Sequence, residues 1–157
     1  MRKTKLFIDT FVGIQVVTRE SRDEPEAKIE RAFNAFQKIE QACSRFTSSS
    51  ELIHATQAVG TPVQISPLLF EPLHFAIELA RLTDGVFDPT GGKMMEQQGF
   101  NRHYLTGEII ESDSADTVTY QDIFLNEQTR TLTLKKPLVI DLGAVAKGFL
   151  STWLHTN

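Results

Sequence analysis

Two stretches of the sequence place apolar residues at the spacing of a helix. In the first, an apolar side chain recurs every three or four residues, which marks one buried helix face. Its members are Ile29, Phe33, Phe36, Ile39 and Cys43. The second stretch begins at Pro67, with Ser66 as the N-cap, and ends at the turn-forming residues 83–85. The pattern predicts two amphipathic helices, the first of which ends near Arg45.

Strand-like patterns occupy the beginning and the later part of the chain. Residues 6–17 are rich in β-branched and aromatic side chains without a helical period, which predicts one opening strand with a bulge at Gly13. Residues 118–125 and 130–135 alternate apolar and polar side chains and predict a hairpin. Residues 138–142 predict a further strand, followed by a short apolar helix.

Two polar connections lie between these elements. Residues 47–52 (TSSSEL) form a predicted loop whose hydroxyl groups cap the next element. Residues 86–93 (VFDPTGGK) are predicted to be irregular, because Pro89 restricts the residue before it and the two glycines permit unusual dihedral angles. The whole pattern predicts an α+β fold for one domain over residues 1–157, with a mixed or antiparallel sheet and helices packed on one face.

Composition and charge exclude several classes of protein. Hydrophobic residues make up 41% and charged residues 23% of the 157 residues, which is typical of a globular chain. The net charge of −4 and the scattered Lys and Arg residues argue against nucleic acid as a partner. Charges interrupt every apolar run before it could span a bilayer, and no signal-peptide core follows the first basic residues. A cytoplasmic chain without a transmembrane segment is therefore expected.

Some single residues carry weaker indications. The four histidines and the one cysteine are scattered, which argues against a zinc site. Cys43 is expected to pack as a small apolar side chain. Arg45, Arg81 and Arg102 stand alone near helix ends, where arginines are usually solvated or paired on the surface, and no role is assigned to them.

Two segments place acidic residues, glycines and a lysine where regular structure changes. Residues 83–93 (TDGVFDPTGGK) follow a predicted helix, and residues 139–149 (VIDLGAVAKGF) join a predicted strand to a helix. At a strand-to-helix junction, free backbone N–H groups and a partial positive charge point outward from the start of the helix, which favours the binding of phosphate. Lys147 adds a full positive charge nearby. On these residues alone, Asp141 could be a helix cap or a ligand contact, and Phe87 a loop anchor or a cofactor wall.

The same two segments resemble the hallmarks of a known family. DGVFDPT (84–90) and IDLGAVAKGF (140–149) are similar to the D-G-A/V-F-D-P-T and D-L-G-G/A-I/V-A-K-G-Y/F runs of the ApbE family of FAD:protein FMN transferases. FIDTFVGIQV (7–16) is similar to the family's opening strand with its M-G/D-T motif. SRFTSSSEL (44–52) is similar to its S-x-F/Y/W-x-x-x-S-E-I/L segment. These segments match in the order in which the family has them.

The resemblance implies a reaction, ligands and site residues. Family members bind FAD and, with Mg2+, transfer its FMN half to a threonine or serine hydroxyl of an acceptor flavoprotein subunit, with release of AMP. By motif position, the residues expected to contact FAD are Phe46, as a stacking aromatic, Val86, Phe87, Asp88, Asp141 and Lys147. The backbone carbonyl of Ala144 is an expected Mg2+ ligand. No catalytic base is assigned in this chain.

The sequence also departs from the family pattern. Ile8 stands in place of the usual methionine, Thr56 in place of an asparagine, and Thr152 in place of an aspartate. Family members continue for about as much sequence again, and that part holds their other Mg2+ ligands and candidate base. Two functions therefore stay open: a flavin transferase, or a truncated or split relative that binds flavin weakly or needs a complementing chain. Apolar surface left exposed by a missing half predicts a homo-oligomer.

Overall fold

The computed structural model describes residues 1–7, 10–19, 21 and 23–156, and the side chains among these as far as residue 149. Its helices are α1 (Asp23–Cys43), α2 (Glu51–Thr56), α3 (Pro67–Leu82), α4 (Gly92–Gln97) and α5 (Gly143–Thr156). Its strands are β1 (Arg2–Phe7), β2 (Thr10–Gln15), β3 (Val63–Gln64), β4 (Ile123–Asn126) and β5 (Thr131–Leu134). The predicted α+β class is confirmed. Within the described part of the chain, none of the helices is long and apolar enough to cross a membrane.

The opening residues form a hairpin, and the prediction of one strand over residues 6–17 is wrong. β1 and β2 pair antiparallel in unbroken register from Arg2 opposite Gln15 to Phe7 opposite Thr10, so the predicted bulge at Gly13 is also wrong. Ile8 and Asp9, which belong to the predicted opening motif, lie outside the described residues. The sequence pattern concealed the reversal, because neither a glycine nor a proline separates the two strands.

The second sheet has the strand order β3-β5-β4, with antiparallel pairing throughout. The predicted hairpin is confirmed as β4 and β5, but β4 begins at Ile123 and not at residue 118. A 3-10 turn precedes it: the Thr119 side chain accepts a hydrogen bond from the Gln121 N–H, and the Asp122 carboxylate accepts one from the Thr119 N–H. This reciprocal cap withdraws residues 119–122 from the ladder.

The two hallmark segments contact each other through their backbones. Residues 138–142 belong to no strand, so that prediction is wrong, and their hydrogen bonds go to a turn. The Asp141 N–H donates to the Pro89 carbonyl at 2.8 Å, and the Gly92 N–H donates to the Val139 carbonyl at 3.2 Å. The predicted irregular loop is also more ordered than expected, since Pro89–Gly91 forms a 3-10 turn that continues into α4. The predicted helix after the second hallmark is confirmed as α5.

A core between the helices and the three-stranded sheet confirms both predicted helix faces. Buried side chains of α1 and α3 in the main core include Ile39, Cys43, Leu69, Leu73, Ala76 and Ile77. A smaller cluster of Phe7, Ile29 and Phe33 lies under the β1–β2 hairpin. Ser66 occupies the predicted N-cap position of α3, although its side chain makes no capping bond. Its N–H and hydroxyl instead donate to the carboxylate of Glu51, at 2.5 and 2.6 Å, which ties α2 to the start of α3.

Cys43 is buried, as expected, with 5% of its surface exposed, and its thiol donates to the Leu68 carbonyl. Burial, with a smaller contribution from the negative charge of Glu51, raises the pKa of the Cys43 thiol to about 12. At about pH 8 the thiolate fraction is then roughly 1,000-fold below that of a free cysteine. We expect iodoacetamide to label Cys43 readily in guanidinium and very slowly in native buffer, as followed by mass spectrometry. Equal labelling rates in the two conditions would contradict this burial.

Candidate functional site

Arg45, two residues beyond α1, connects segments that are far apart in the sequence. Its side chain is 4% exposed, and its Nε donates to Asp141 Oδ2 at 2.6 Å. Its Nη2 donates to the Phe100 carbonyl at 2.7 Å. The remaining nitrogen, Nη1, is buried and has no hydrogen-bond partner among the described residues. An unsatisfied buried donor costs about 1–3 kcal/mol, so Nη1 is a candidate donor to an ordered water or a ligand.

Phe46, the predicted stacking aromatic, covers this guanidinium. Its ring centroid lies 4.0 Å from Arg45 Cζ, which is close enough for a cation–π contact. The surface position expected for Arg45 from the sequence is therefore wrong, because the side chain turns inward toward a carboxylate and an aromatic ring. The sequence held one signal for this residue, namely its place in the motif SRFTSSSEL directly before the predicted aromatic.

A cleft of about 550 Å3 opens beside Arg45 and Phe46. Its other walls are one side of α2, residues 137–140 and residues 108–113, which we call the strap. Its volume lies within the range of small-molecule sites. The strap carries the carboxylates of Glu108, Glu111 and Asp113, whereas the guanidinium lies in another wall. The cleft thus offers an aromatic face, a buried cation and an acidic rim.

The two hallmark carboxylates are engaged within the protein. Asp141 Oδ1 accepts from the Gly143 N–H at 2.8 Å, and Oδ2 accepts from Arg45. Asp88 Oδ1 accepts from the N–H and hydroxyl of Thr90, and Oδ2 accepts from the Tyr120 N–H. Asp141 therefore caps the first N–H of α5 from the position before Leu142, whose carbonyl accepts the first helical bonds, and this is a form of the cap role that the sequence left open. Contact of either carboxylate with FAD stays a prediction.

The other predicted site residues belong to the two hallmark segments and differ in their exposure. Phe87 packs against the main core, which is the anchor role that the sequence left open. Val86 is 91% exposed, and Ala144 and Lys147 are exposed in the first turns of α5. Among the predicted site residues that the structure describes, Phe46 alone belongs to the cleft lining. The described residues contain no group of three or more His, Cys, Asp or Glu side chains that could hold a metal ion.

Comparisons with known proteins agree with these motifs. The model of the ApbE family matches residues 8–152. A FAD:protein FMN transferase of Treponema pallidum is 25% identical over an alignment of 158 positions, which covers 95% of this chain and 44% of that protein. The solved structure of the ApbE protein from Thermotoga maritima has a TM-score of 0.80 and 21% identity, over 99% of this chain and 51% of that one. The flavin transferase ApbE from Vibrio cholerae has a TM-score of 0.81 and 20% identity, over 99% of this chain and 52% of that one. This chain spans about half the length of these relatives.

Proposed function

Since this chain belongs to the ApbE family, we propose that it acts in flavin transfer, with FAD as the substrate and an acceptor flavoprotein as the recipient of FMN. The observation that carries the proposal is the buried guanidinium of Arg45. It ties Asp141 of the second hallmark to a cleft under Phe46, and one of its donors has no partner in the described structure. FAD suits this arrangement, because its ring systems are flat and its carbonyl, ring-nitrogen and phosphate atoms accept hydrogen bonds.

Each residue has a proposed part in holding FAD. Phe46 stacks on a ring of FAD, and Arg45 Nη1 donates to one of its acceptor atoms. Lys147, exposed in α5, contributes positive charge toward the phosphates. By their position in the motifs, Val86, Phe87, Asp88 and Asp141 are also proposed to contact FAD. Phosphoryl-type transfer depends mainly on such positioning and electrostatic stabilisation by the protein.

We propose further that the transfer depends on Mg2+, releases AMP and forms a phosphoester with a threonine or serine of the acceptor. A bound Mg2+ ion would neutralise phosphate charge. The described residues contain no group of three or more His, Cys, Asp or Glu side chains that could hold the ion. A Mg2+ ion at the Ala144 carbonyl would complete its coordination with water, with phosphate oxygens of FAD and with further protein ligands.

Titration with FAD tests the binding part of the proposal. We expect micromolar binding by the wild-type chain, followed by flavin fluorescence, and about tenfold weaker binding by Phe46→Ala, since stacking on one aromatic ring contributes about 1–3 kcal/mol. Phe124→Ala is the matched control, because Phe124 lies on β4, is largely exposed and is not part of the cleft lining. Absence of binding at ~100 μM FAD would contradict the proposal.

The transfer itself is tested by covalent labelling. An acceptor flavoprotein, FAD and Mg2+ are incubated with the chain, and flavin fluorescence is read on a denaturing gel. A fluorescent acceptor band with this chain alone supports a flavin transferase. A band that requires an added complementing chain supports the second function.

Light scattering of the purified chain by itself tests the predicted homo-oligomer, which would form through exposed apolar residues such as Leu82 and Val86. A monomer would contradict this prediction.

A further inference from the structure

Ser112 of the strap is held by two residues of α4. Its N–H donates to Glu96 Oε2 at 3.1 Å, and its hydroxyl donates to Glu96 Oε1 at 2.7 Å. Its carbonyl accepts from Lys93 Nζ at 2.7 Å. Each polar group of this one residue is therefore bonded to the same turn of helix. We call this arrangement the Ser112 clamp.

The charge at the centre of the clamp is buried. The Glu96 side chain is 4% exposed, and its Oε2 lies 3.4 Å from Lys93 Nζ. A buried carboxylate is costly unless donors surround it, and here the lysine and Ser112 supply them. Moving the strap away from α4 would strip this carboxylate of two of its hydrogen bonds. The clamp therefore resists displacement more strongly than a pair on the surface does.

The strap has few other fixed points. It belongs to no helix or ladder. An isolated bridge between Arg102 and Ile109 holds its first half, through the His103 N–H donating to the Glu108 carbonyl and the Ile110 N–H donating to the Asn101 carbonyl. The Glu108 N–H also donates to the Thr106 hydroxyl. Toward its end, the contacts of Ser112 fix it to α4. This helix also holds residues 137–140 of the cleft through the bond from Gly92 to Val139. One short helix thus supports two walls of the cleft.

From this geometry we propose that Lys93 and Glu96 are positioning residues for FAD, because the Ser112 clamp keeps the strap in place as a wall of the cleft. The inference rests on the proposed function of the cleft. Neither residue is part of the cleft lining in the described structure, so both act through Ser112. We expect the loss of either residue to weaken FAD binding and to increase the motion of the strap.

The test compares variants of the clamp with a surface pair. Glu96→Ala removes both acceptors, and we expect about tenfold weaker FAD binding together with at least about tenfold faster amide hydrogen exchange in residues 108–113. Glu96→Gln keeps an acceptor for Ser112 and is expected to recover most of both losses. Glu78→Ala removes the exposed partner of Arg81 on α3 and should change neither. If Glu96→Ala fails to fold, Ser112→Ala, which lacks the hydroxyl alone, takes its place in both measurements.

The two readouts separate failure of the inference from failure of the proposed function. If the wild-type chain does not bind FAD, the proposed function fails, and exchange in the strap still decides whether the clamp holds it. Unchanged exchange in Glu96→Ala overturns the clamp. Faster exchange with unchanged FAD affinity overturns the positioning role. Equal losses in Glu78→Ala overturn both the clamp and the positioning role, because the losses would then not depend on the contacts of Ser112.

Discussion

Replacing Asp141 by asparagine is expected to lower the free energy of unfolding by about 3 kcal/mol, because it leaves the buried cation of Arg45 without its counter-charge. The Arg45 side chain is 4% exposed and the Asp141 side chain is 26% exposed. Because the carboxylate is partly in water, we expect a loss of stability at the low end of the range for a broken buried ion pair. Asparagine keeps the oxygen that accepts from the Gly143 N–H, so the cap of α5 survives. The measurement is urea-induced unfolding followed by circular dichroism.

A double-mutant cycle separates the pair from its surroundings. Arg45→Met removes the cation, and the double variant with Asp141→Asn should be more stable than the two single losses together would give, by about 1.5 kcal/mol or more. Arg81→Met breaks the exposed pair with Glu78 and should change stability by no more than about 0.5 kcal/mol. Additive losses in the cycle would mean that the charge pair contributes little.

Gly92→Ala is expected to destabilise the fold by about 3 kcal/mol, because the new Cβ has no room. It would lie 2.6 Å from Val139 Cγ1 and 2.7 Å from the Val139 carbonyl oxygen. Rotation of the valine side chain would move Cγ1 but not Cβ, which lies 3.0 Å from the added atom, and the carbonyl belongs to the backbone and accepts the Gly92 N–H. The substitution therefore pushes the two hallmark segments apart, which unfolding in urea will report as a lower midpoint.

The neighbouring glycine provides the matched control. A Cβ at Gly91 would meet open space, and its φ of −69° suits any residue. Gly91→Ala should therefore stay within about 1 kcal/mol of the wild-type chain. If Gly92→Ala proves as stable as Gly91→Ala, the close approach to Val139 is not a constraint on this fold.

Helices α1 and α3 could be predicted from the sequence because their signal is local, whereas the short helices α2 and α4 were not predicted. Apolar residues three and four positions apart share one face, and those of α1 and α3 indeed lie in the cores. The strands were harder, since an apolar run does not reveal its partner. Residues 138–142 have the composition of a buried strand, yet their hydrogen bonds go to the turn around Pro89, a choice that tertiary packing makes.

For the site, the motifs identified residues but not their partners. Asp88 and Asp141 were found by resemblance, whereas the groups that bond them, such as Tyr120 and Arg45, come from other parts of the chain. Arg45 resembled an ordinary surface residue, because nothing near it in sequence announces a buried carboxylate. The strap has no periodicity and no motif, so its place in the cleft could be learned from the structure alone.

The pair of Arg45 and Asp141 also bears on the order in which the parts of the protein fold during synthesis. These residues are 96 positions apart, so their contact closes one of the long loops of the chain. During synthesis the ribosome has finished α1 and α3 well before it reaches the carboxylate, and helical segments with local contacts can form meanwhile. Until Asp141 has left the ribosome, the guanidinium has no counter-charge to pair with and stays hydrated. We therefore expect the cleft to be assembled at that late step.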